Sequence, residues 1–397
     1  MREIELSSVI TDIAAGPFGS NLKVECFVPS GFPIVDGANL KSYKVTDNIT
    51  KFVTEKKARS LGRSIAKRGD VIVTISGTLG QISYIPDDSK YTEYLCSQRQ
   101  FRVSFDESKV YAPYLVFYFH TYEGQNKILS FANQTGVPAL SQPLKNFKKI
   151  RLQLPPLEQQ KKIASVIEAI NRKIEYNQKI NDNLYAQAKA IFDNHFINID
   201  AIPARWRKGN LLDIANYLNG LAMQKFRPQG NEIGLPVLKI KELRQGSCDD
   251  SSELCSLSIK PEYIIHDGDV VFSWSGSLLV DIWCGGTCGL NQHLFKVTSD
   301  VYDKWFYYLW TAHHLARFIA IAADKATTMG HIKREELAKA EVLIPCEEDY
   351  TSFNSIMQPI FELIISNRIE SRKLAALRDE LLPKLMTGEI DVSDVQL

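Results

Sequence analysis

The stretch LPPLEQQKKIASVIEAINRKIEYNQKINDNLYAQAKAIFDNHF, Leu154 to Phe196, holds no glycine and keeps both of its prolines at the front. Proline suits the first turn of a helix, where no backbone N–H is needed and its fixed φ is already helical. The pattern therefore predicts one long helix opening near Pro156 or Leu157. Alternating steps of four and three from Ile163 reach Ile167, Ile170, Ile174, Asn177, Asn181, Leu184, Ala188 and Ile191, a seam that is apolar except at two asparagines. So narrow a stripe has coiled-coil spacing rather than the broad face of an ordinary surface helix. At 1.5 Å per residue, roughly 40 residues make a rod about 60 Å long, which needs a partner rod or serves as a spacer.

A partner is present near the other end of the chain. Between Tyr350 and about Met386 the same steps pick out Ile356, Ile360, Leu363, Asn367, Glu370, Leu374, Leu377 and Leu381, again polar near the middle. Pro359 and Pro383 are expected to bend or fray this second rod. A buried asparagine in such a seam fixes register at some cost in stability. The alternative, in which each rod packs only on its neighbouring globular domain, fits the narrow seam less well.

With the rods set apart, the remainder repeats. Gly69-Asp70-Val71-Ile72-Val73-Thr74-Ile75-Ser76-Gly77-Thr78 lines up with Gly268-Asp269-Val270-Val271-Phe272-Ser273-Trp274-Ser275-Gly276-Ser277, each a β-type run between a Gly-Asp turn and Ser-Gly. Further on, SQRQFRVSF (97–105) faces NQHLFKVTS (291–299), with Gln98 matching Gln292. Aromatic segments that read as helices follow in both halves, FYFHTYEGQNKI (117–128) and FYYLWTAHHLARFI (306–319). The expected fold is α+β: two globular mixed domains, 1–153 and 200–345, a central helix over 154–199, and a C-terminal helix and tail over 346–397. A tandem duplication of this kind is most simply closed by a pseudo-two-fold axis, which runs the rods antiparallel.

Composition narrows the function classes. A net charge of +1 excludes binding to nucleic acid by bulk electrostatics, although Lys145, Lys148, Lys149, Arg151, Lys161, Lys162, Arg172, Lys173 and Lys179 gather where the first domain meets the rod. No run of 18 apolar residues suggests a membrane span, and the N-terminus lacks the form of a signal peptide, so a cytoplasmic protein is expected. The 7 cysteines read as reduced thiols. Cys248, Cys255, Cys284 and Cys288, near His293, have no CxxC spacing of a zinc site. There is no GxxxxGK[ST], GxGxxG after a strand, HExxH or GxSxG. The 7 histidines form no ligand pattern, and Asp70 and Asp269 read as turn caps rather than general bases. Duplicated domains without catalytic machinery point to a recogniser; an enzyme with an unfamiliar site, or a purely structural coiled-coil adaptor, are the other classes.

Four segments carry a family resemblance: LPPLEQQKKIASVI (154–167), NDNLYAQAKAIFDNHF (181–196), TGVPALSQPLKNFKKIRLQLP (135–155) and LAALRDELLPKLMTGEI (374–390). With them the chain resembles, over nearly its whole length, the specificity subunit of Type I restriction-modification enzymes. GPFGSNLK (16–23) looks like the start of that family's first target-recognition domain, whereas NGLAMQKFRP (219–228) and VLIPCEEDY (342–350) depart from the pattern.

The resemblance implies that each domain reads one half of a two-part asymmetric site in double-stranded DNA and that the helix pair sets the spacer. Two modification (methyltransferase) subunits would dock and methylate adenine N6, and restriction and translocase subunits would join them. It implies no cofactor on this chain; S-adenosylmethionine, ATP and Mg belong to the partners. Base edges in the major groove are read by Arg, Lys, Asn and Gln. The candidates in the first domain are Lys23, Lys41, Lys56, Lys57, Arg59, Thr78, Gln98, Arg99, Asn133, Gln134 and Thr135. In the second they are Lys225, Arg227, Lys239, Lys241, Trp274, Ser277, Thr327, Thr328, His331 and Lys333. Gln98 and Gln292, being equivalent, read instead as residues that hold the fold.

Overall fold

Beyond Pro155 and Pro156 the chain enters a helix that runs from Leu157 to Phe192 in the computed structural model, which describes residues 2–133, 137–324 and 331–392. A second long helix spans Glu347–Thr387. The chain divides into two units, 1–170 with 376–397, and 171–375, so the boundaries fall inside both helices and each unit contains a stretch of each.

In the first unit, strand Arg2–Glu5 pairs antiparallel with Arg151–Leu154 and closes the domain at its entry and exit. Inside, a four-stranded antiparallel sheet has the order Ile10–Ala15, Gln100–Phe105, Val71–Thr74, Ile82–Tyr84. A second sheet contains the parallel pair Phe32–Val35 and Glu93–Cys96. The core gathers Val71, Val73, Phe101 and Val103 with Tyr114, Phe117 and Phe119 of helix Ala112–Phe119, and with Ile163, Ala164, Ile167, Leu382, Leu385 and Met386 of the long helices. Gln160, from LPPLEQQ, is fully buried: its Oε1 accepts the Tyr111 amide (2.9 Å), and its Nε2 donates to the carbonyls of Lys109 and Pro155 (both 2.9 Å). It satisfies backbone groups at the start of the aromatic helix that burial would otherwise leave without partners.

The second unit repeats this plan. Arg207–Asn210 pairs with Glu341–Ile344, and the four-stranded order is Asn216–Asn219, Leu294–Thr298, Val270–Ser273, Leu279–Ile282. The parallel pair is Leu235–Leu238 with Cys288–Leu290. The aromatic helix is continuous here, Lys304–Asp324, whereas in the first unit it is broken at His120 and Thr121, where Thr121 caps a new helix by accepting the Gly124 amide. Tyr350 occupies the place of Gln160 in the helix start. Its hydroxyl accepts the Asp303 amide (2.7 Å) and donates to Asp303 Oδ2 (2.9 Å), so the poorer match VLIPCEEDY performs the same capping with a different side chain. Arg368 and Arg372 fork onto Asp281 and Asp267 through paired hydrogen bonds of 2.6–2.9 Å, tying the C-terminal helix to the sheet domain.

The seam expected on the central helix is buried or half-buried at every position. Its asparagines make the cross-helix bonds of the second unit. Asn177 Nδ2 donates to Glu370 Oε2 (2.7 Å) and Ser371 Oγ (3.2 Å), Asn181 Nδ2 to the Ile364 carbonyl (3.2 Å), and Asn367 Nδ2 to Asn181 Oδ1 (2.9 Å). As numbers rise on one helix the contacts fall on the other, so the two run antiparallel there.

The C-terminal seam needs correction. Ile356, Leu363 and Leu377 are exposed, Ile360, Glu370, Leu374 and Leu381 are half-buried, and the buried positions are Met357, Phe361, Ile364, Asn367, Leu382, Leu385 and Met386. The covered face is displaced by one residue because an apolar side chain follows each of Ile356, Ile360, Leu363 and Leu381, so spacing alone does not choose between the faces. Nor does Pro359 interrupt the helix; Ser355, whose carbonyl loses its helical partner there, is exposed to water.

Two stability measurements follow. Gln160→Leu strands one buried amide and two carbonyls and should lower the unfolding free energy in urea by roughly 2–4 kcal/mol, with Tyr350→Phe costing about 1–2 kcal/mol. Asn367→Leu leaves Asn181 Oδ1 without its donor and should cost about 1–3 kcal/mol, most of it recovered when Asn181→Leu is added; two additive losses would contradict the pairing.

Candidate nucleic-acid interface

In each unit three chain segments are laced together at one end of the four-stranded sheet. In the first, the Ile75 amide donates to the Arg99 carbonyl (2.7 Å), Leu140 to Ile75 (2.8 Å), and Gly77 to Pro138 (3.0 Å). In the second, the Trp274 amide donates to the His293 carbonyl (3.4 Å) and Ile332 to Trp274 (3.0 Å), while Ser275 bridges His331. The same frame therefore presents Thr78, Gln98, Arg99 and Asn133 in one unit, and Ser277, Gln292, His293 and His331 in the other.

Beside the first rim lies a recess of about 550 Å³, lined among others by Thr74, Gly77, Thr78, Gln81, Gln98 and Arg99. Its floor is a fixed polar net. The Thr74 hydroxyl donates to Gln81 Oε1 (3.0 Å), Gln81 Nε2 donates to the Gly37 carbonyl (3.0 Å), and the Ser97 hydroxyl donates to Gln100 Oε1. Thr74 and Gln100 are buried, whereas Thr78, Gln98 and Arg99 are exposed. A stiff base thus carries free hydrogen-bonding side chains.

The motif GPFGSNLK owes its first glycine to this end. The Gly16 amide donates to the Gln100 carbonyl (2.8 Å), and a Cβ there would lie 1.8 Å from the Ser97 carbonyl oxygen. Gly220 does the same in the second unit, with its amide on Leu294 (3.0 Å) and a Cβ position 2.3 Å from the Asn291 oxygen. Only glycine allows so close an approach, so NGLAMQKFRP keeps the geometry that its sequence disguises.

The remaining candidates divide. Lys23 is exposed between Leu22 and Val24, which line the first recess. Lys333 is exposed just past His331. Gln134, Thr135, Thr327 and Thr328 lie outside the described residues. Lys56, Lys57 and Arg59 share the short helix Glu55–Ser60, and Arg59 is held by Glu55 (2.8 Å) and Glu93 (2.7 Å) on the wall of a different recess with Asp12, Asp70 and Arg102. Lys41 is exposed beyond the turn Gly37–Asn39, and Lys225 is exposed on the turn Met223–Lys225.

Some candidates are corrected by their partners. Arg227 (2.5 Å) and Lys239 both pair with Glu253, and Lys241 reaches Ser251 (2.8 Å) and Asp249 (3.5 Å). The pairing of Leu235–Leu238 with Leu254–Cys255 brings Glu253 to Arg227 and Lys239, and these cations are drawn into internal pairs. Trp274 is half-buried against Phe295, with ring centroids 5.8 Å apart, and its indole N–H donates to Asn219 Oδ1 (2.9 Å), so it shapes the rim rather than offering a hydrogen bond.

Asp70 and Asp269 each accept the amide three residues before them, of Lys67 and His266 (both 2.8 Å), as turn caps. Burial raises the Asp70 carboxyl above its usual range, while the Ser104 hydroxyl and the Lys67 amide act against that. Among the described residues no group of three or more His, Cys, Asp or Glu is placed to hold a metal ion. Sequence reasoning did not single out Phe18 and Val24, both strongly exposed beside the rim; GPFGSNLK was its only signal.

Residues 28–186 match the family model described as the Type I restriction modification DNA specificity domain. The chain is 24% identical over 413 residues to the Type I restriction enzyme MjaIX specificity subunit of Methanocaldococcus jannaschii, covering 97% of this chain and 93% of that protein. To the HindI specificity subunit of Haemophilus influenzae it is 19% identical over 317 residues, covering 61% and 69%. The fold is that of the Type I restriction-modification S subunit of M. genitalium, with a TM-score of 0.58 at 13% identity, covering 97% of this chain and 95% of that one. With a match to a DNA specificity domain over 28–186 and this likeness along nearly all its length, the chain is similar to the specificity subunits of Type I restriction-modification systems.

Proposed function

We propose that the chain is the non-catalytic DNA-reading subunit of a Type I restriction-modification complex, each laced rim addressing one half of a two-part site. The observation that carries this is the repetition of one frame with a different set of rim side chains: exposed Thr78, Gln98 and Arg99 in one unit, exposed Ser277 with half-buried Gln292 and His293 in the other. The hydroxyl and amide positions are alike in the two units, and the exchange of Arg99 for His293 on the same frame is the difference that suits reading two unlike half-sites. Arg99 is the strongest base-reader, because a guanidinium matches guanine O6 and N7 bidentately. In this reading the antiparallel helices set the spacer.

Tyr176, Ile180, Ile356, Leu363 and Leu377 are exposed on the long helices, apolar surface that suits docking of the two modification subunits. Those subunits supply S-adenosylmethionine, and restriction and translocase subunits supply the ATP- and Mg-dependent steps. Much of the phosphate grip then comes from partners, consistent with a net charge of only +1. No described helix is long and apolar enough to cross a membrane, and a complex acting on the genome works in the cytoplasm.

Two experiments on the assembled methyltransferase test this. Removing one heptad from each long helix shortens the rods by about 10 Å, so single-molecule sequencing of methylated adenines should show a two-part motif whose spacer is about 3 base pairs shorter. An unchanged spacer would sink the role given to the helices. Arg99→Ala should relax one position of the first half-site by about 1–3 kcal/mol and leave the second half-site intact, while Arg59→Ala alters neither.

A further inference from the structure

Phe18 is 82% exposed, and Val24 on the same loop is 80% exposed. Single apolar side chains on a surface are ordinary, but this loop is anchored on the rim. Gly16 is pressed against the Ser97 carbonyl, the Asn21 amide donates to the Phe18 carbonyl (2.8 Å), and Leu22 is buried beneath. A Cβ on Gly19, the residue after Phe18, would stand 2.7 Å from Gln98 Oε1. Gln98 and Arg99 follow along the rim, and a Cβ on Gly77 would stand 3.8 Å from Arg99 Nη1. Exposed Lys23 lies between Phe18 and Val24 in the sequence. An uncovered phenyl group is thus displayed next to Gly19, against which the Gln98 amide rests, with Arg99 following Gln98 on the rim and Lys23 on the same loop.

That combination suits bent or partly unstacked nucleic acid. The cations meet phosphates and base edges, and the aromatic ring replaces a stacking neighbour that a base loses. Resting on the reading that this rim addresses DNA, we propose that Phe18 is an apolar wedge that enters a base step of the first half-site and partly unstacks it. At the equivalent position the second unit has no aromatic residue. With Gly220 equivalent to Gly16, the position of Phe18 falls on Ala222, and the next residue, Met223, is buried. The wedge thus belongs to the first half of the site, and Phe226 of the second unit, further along its loop and less exposed at 38%, does not take its place.

The test uses the full chain assembled with its modification subunits. The DNA is a duplex carrying the two-part motif methylated in the host genome, with 2-aminopurine placed in turn at each adenine of both half-sites except the methylated ones, which a methyltransferase itself turns out of the stack. Wild-type binding should raise fluorescence at one step of the first half-site and at none of the second. Phe18→Ala should abolish the rise and weaken binding about tenfold or more, with Phe18→Leu intermediate.

An unstacked base in neither half-site, or one that persists in Phe18→Ala, overturns the wedge. So does a defect that vanishes when deoxyuridine replaces thymidine, since that would make Phe18 a thymine-methyl contact. Failure of the wild-type complex to methylate any two-part motif would instead overturn the DNA-reading function itself. Because Phe18 touches solvent, circular dichroism and assembly should be unchanged in both variants.

Discussion

A narrow apolar seam on a helix of 36 residues must be covered, and in each unit the core of the sheet domain and the other long helix cover it together. In the first unit Ile163, Ala164 and Ile167 share a core with Leu382, Leu385 and Met386. In the second, Ala188 and Phe192 share one with Met357 and Phe361. A purely hydrocarbon seam would leave sliding by a whole heptad nearly free of penalty. Asn177, Asn181 and Asn367 remove that freedom, since a slipped register would bury amides with nothing to bond. The cost is visible in Asn177 Oδ1, which is buried without a hydrogen-bond partner.

The domains are seated on these helices by polar contacts rather than by hydrophobic area alone. Gln160 and Tyr350 solve one problem, an uncapped amide at the start of a buried aromatic helix, with an amide side chain in one unit and a phenol in the other. Directional bonds of this kind fix orientation, which burial does not. The forked pairs of Arg368 and Arg372 do the same for the second sheet domain.

Much of this was legible in the sequence because it obeys simple periods. Period two in the aligned strands disclosed the duplication, and steps of four and three from Ile163 disclosed the central seam. The C-terminal helix resisted, since Ile356–Met357, Ile360–Phe361 and Leu363–Ile364 offer two adjacent apolar faces and only tertiary packing chooses. The candidate site was read in outline. Thr78, Gln98 and Arg99 follow from the repeat, whereas the pairing of Arg227 and Lys239 with Glu253 depends on strands folding back side by side, which composition does not reveal. Phe18 escaped for the opposite reason: aromatic residues are assigned to cores by default, and only a three-dimensional surface shows one left outside.

The short ladders Arg2–Glu5 with Arg151–Leu154, and Arg207–Asn210 with Glu341–Ile344, have a further consequence. Each sheet domain is entered and left through two adjacent strands, so its chain forms a closed excursion from the helices. Recombination that trades one whole excursion for another leaves the helical frame and its asparagine register undisturbed. Natural selection can thus alter recognition by exchanging modules at a single joint, without relearning how to build the frame that carries them.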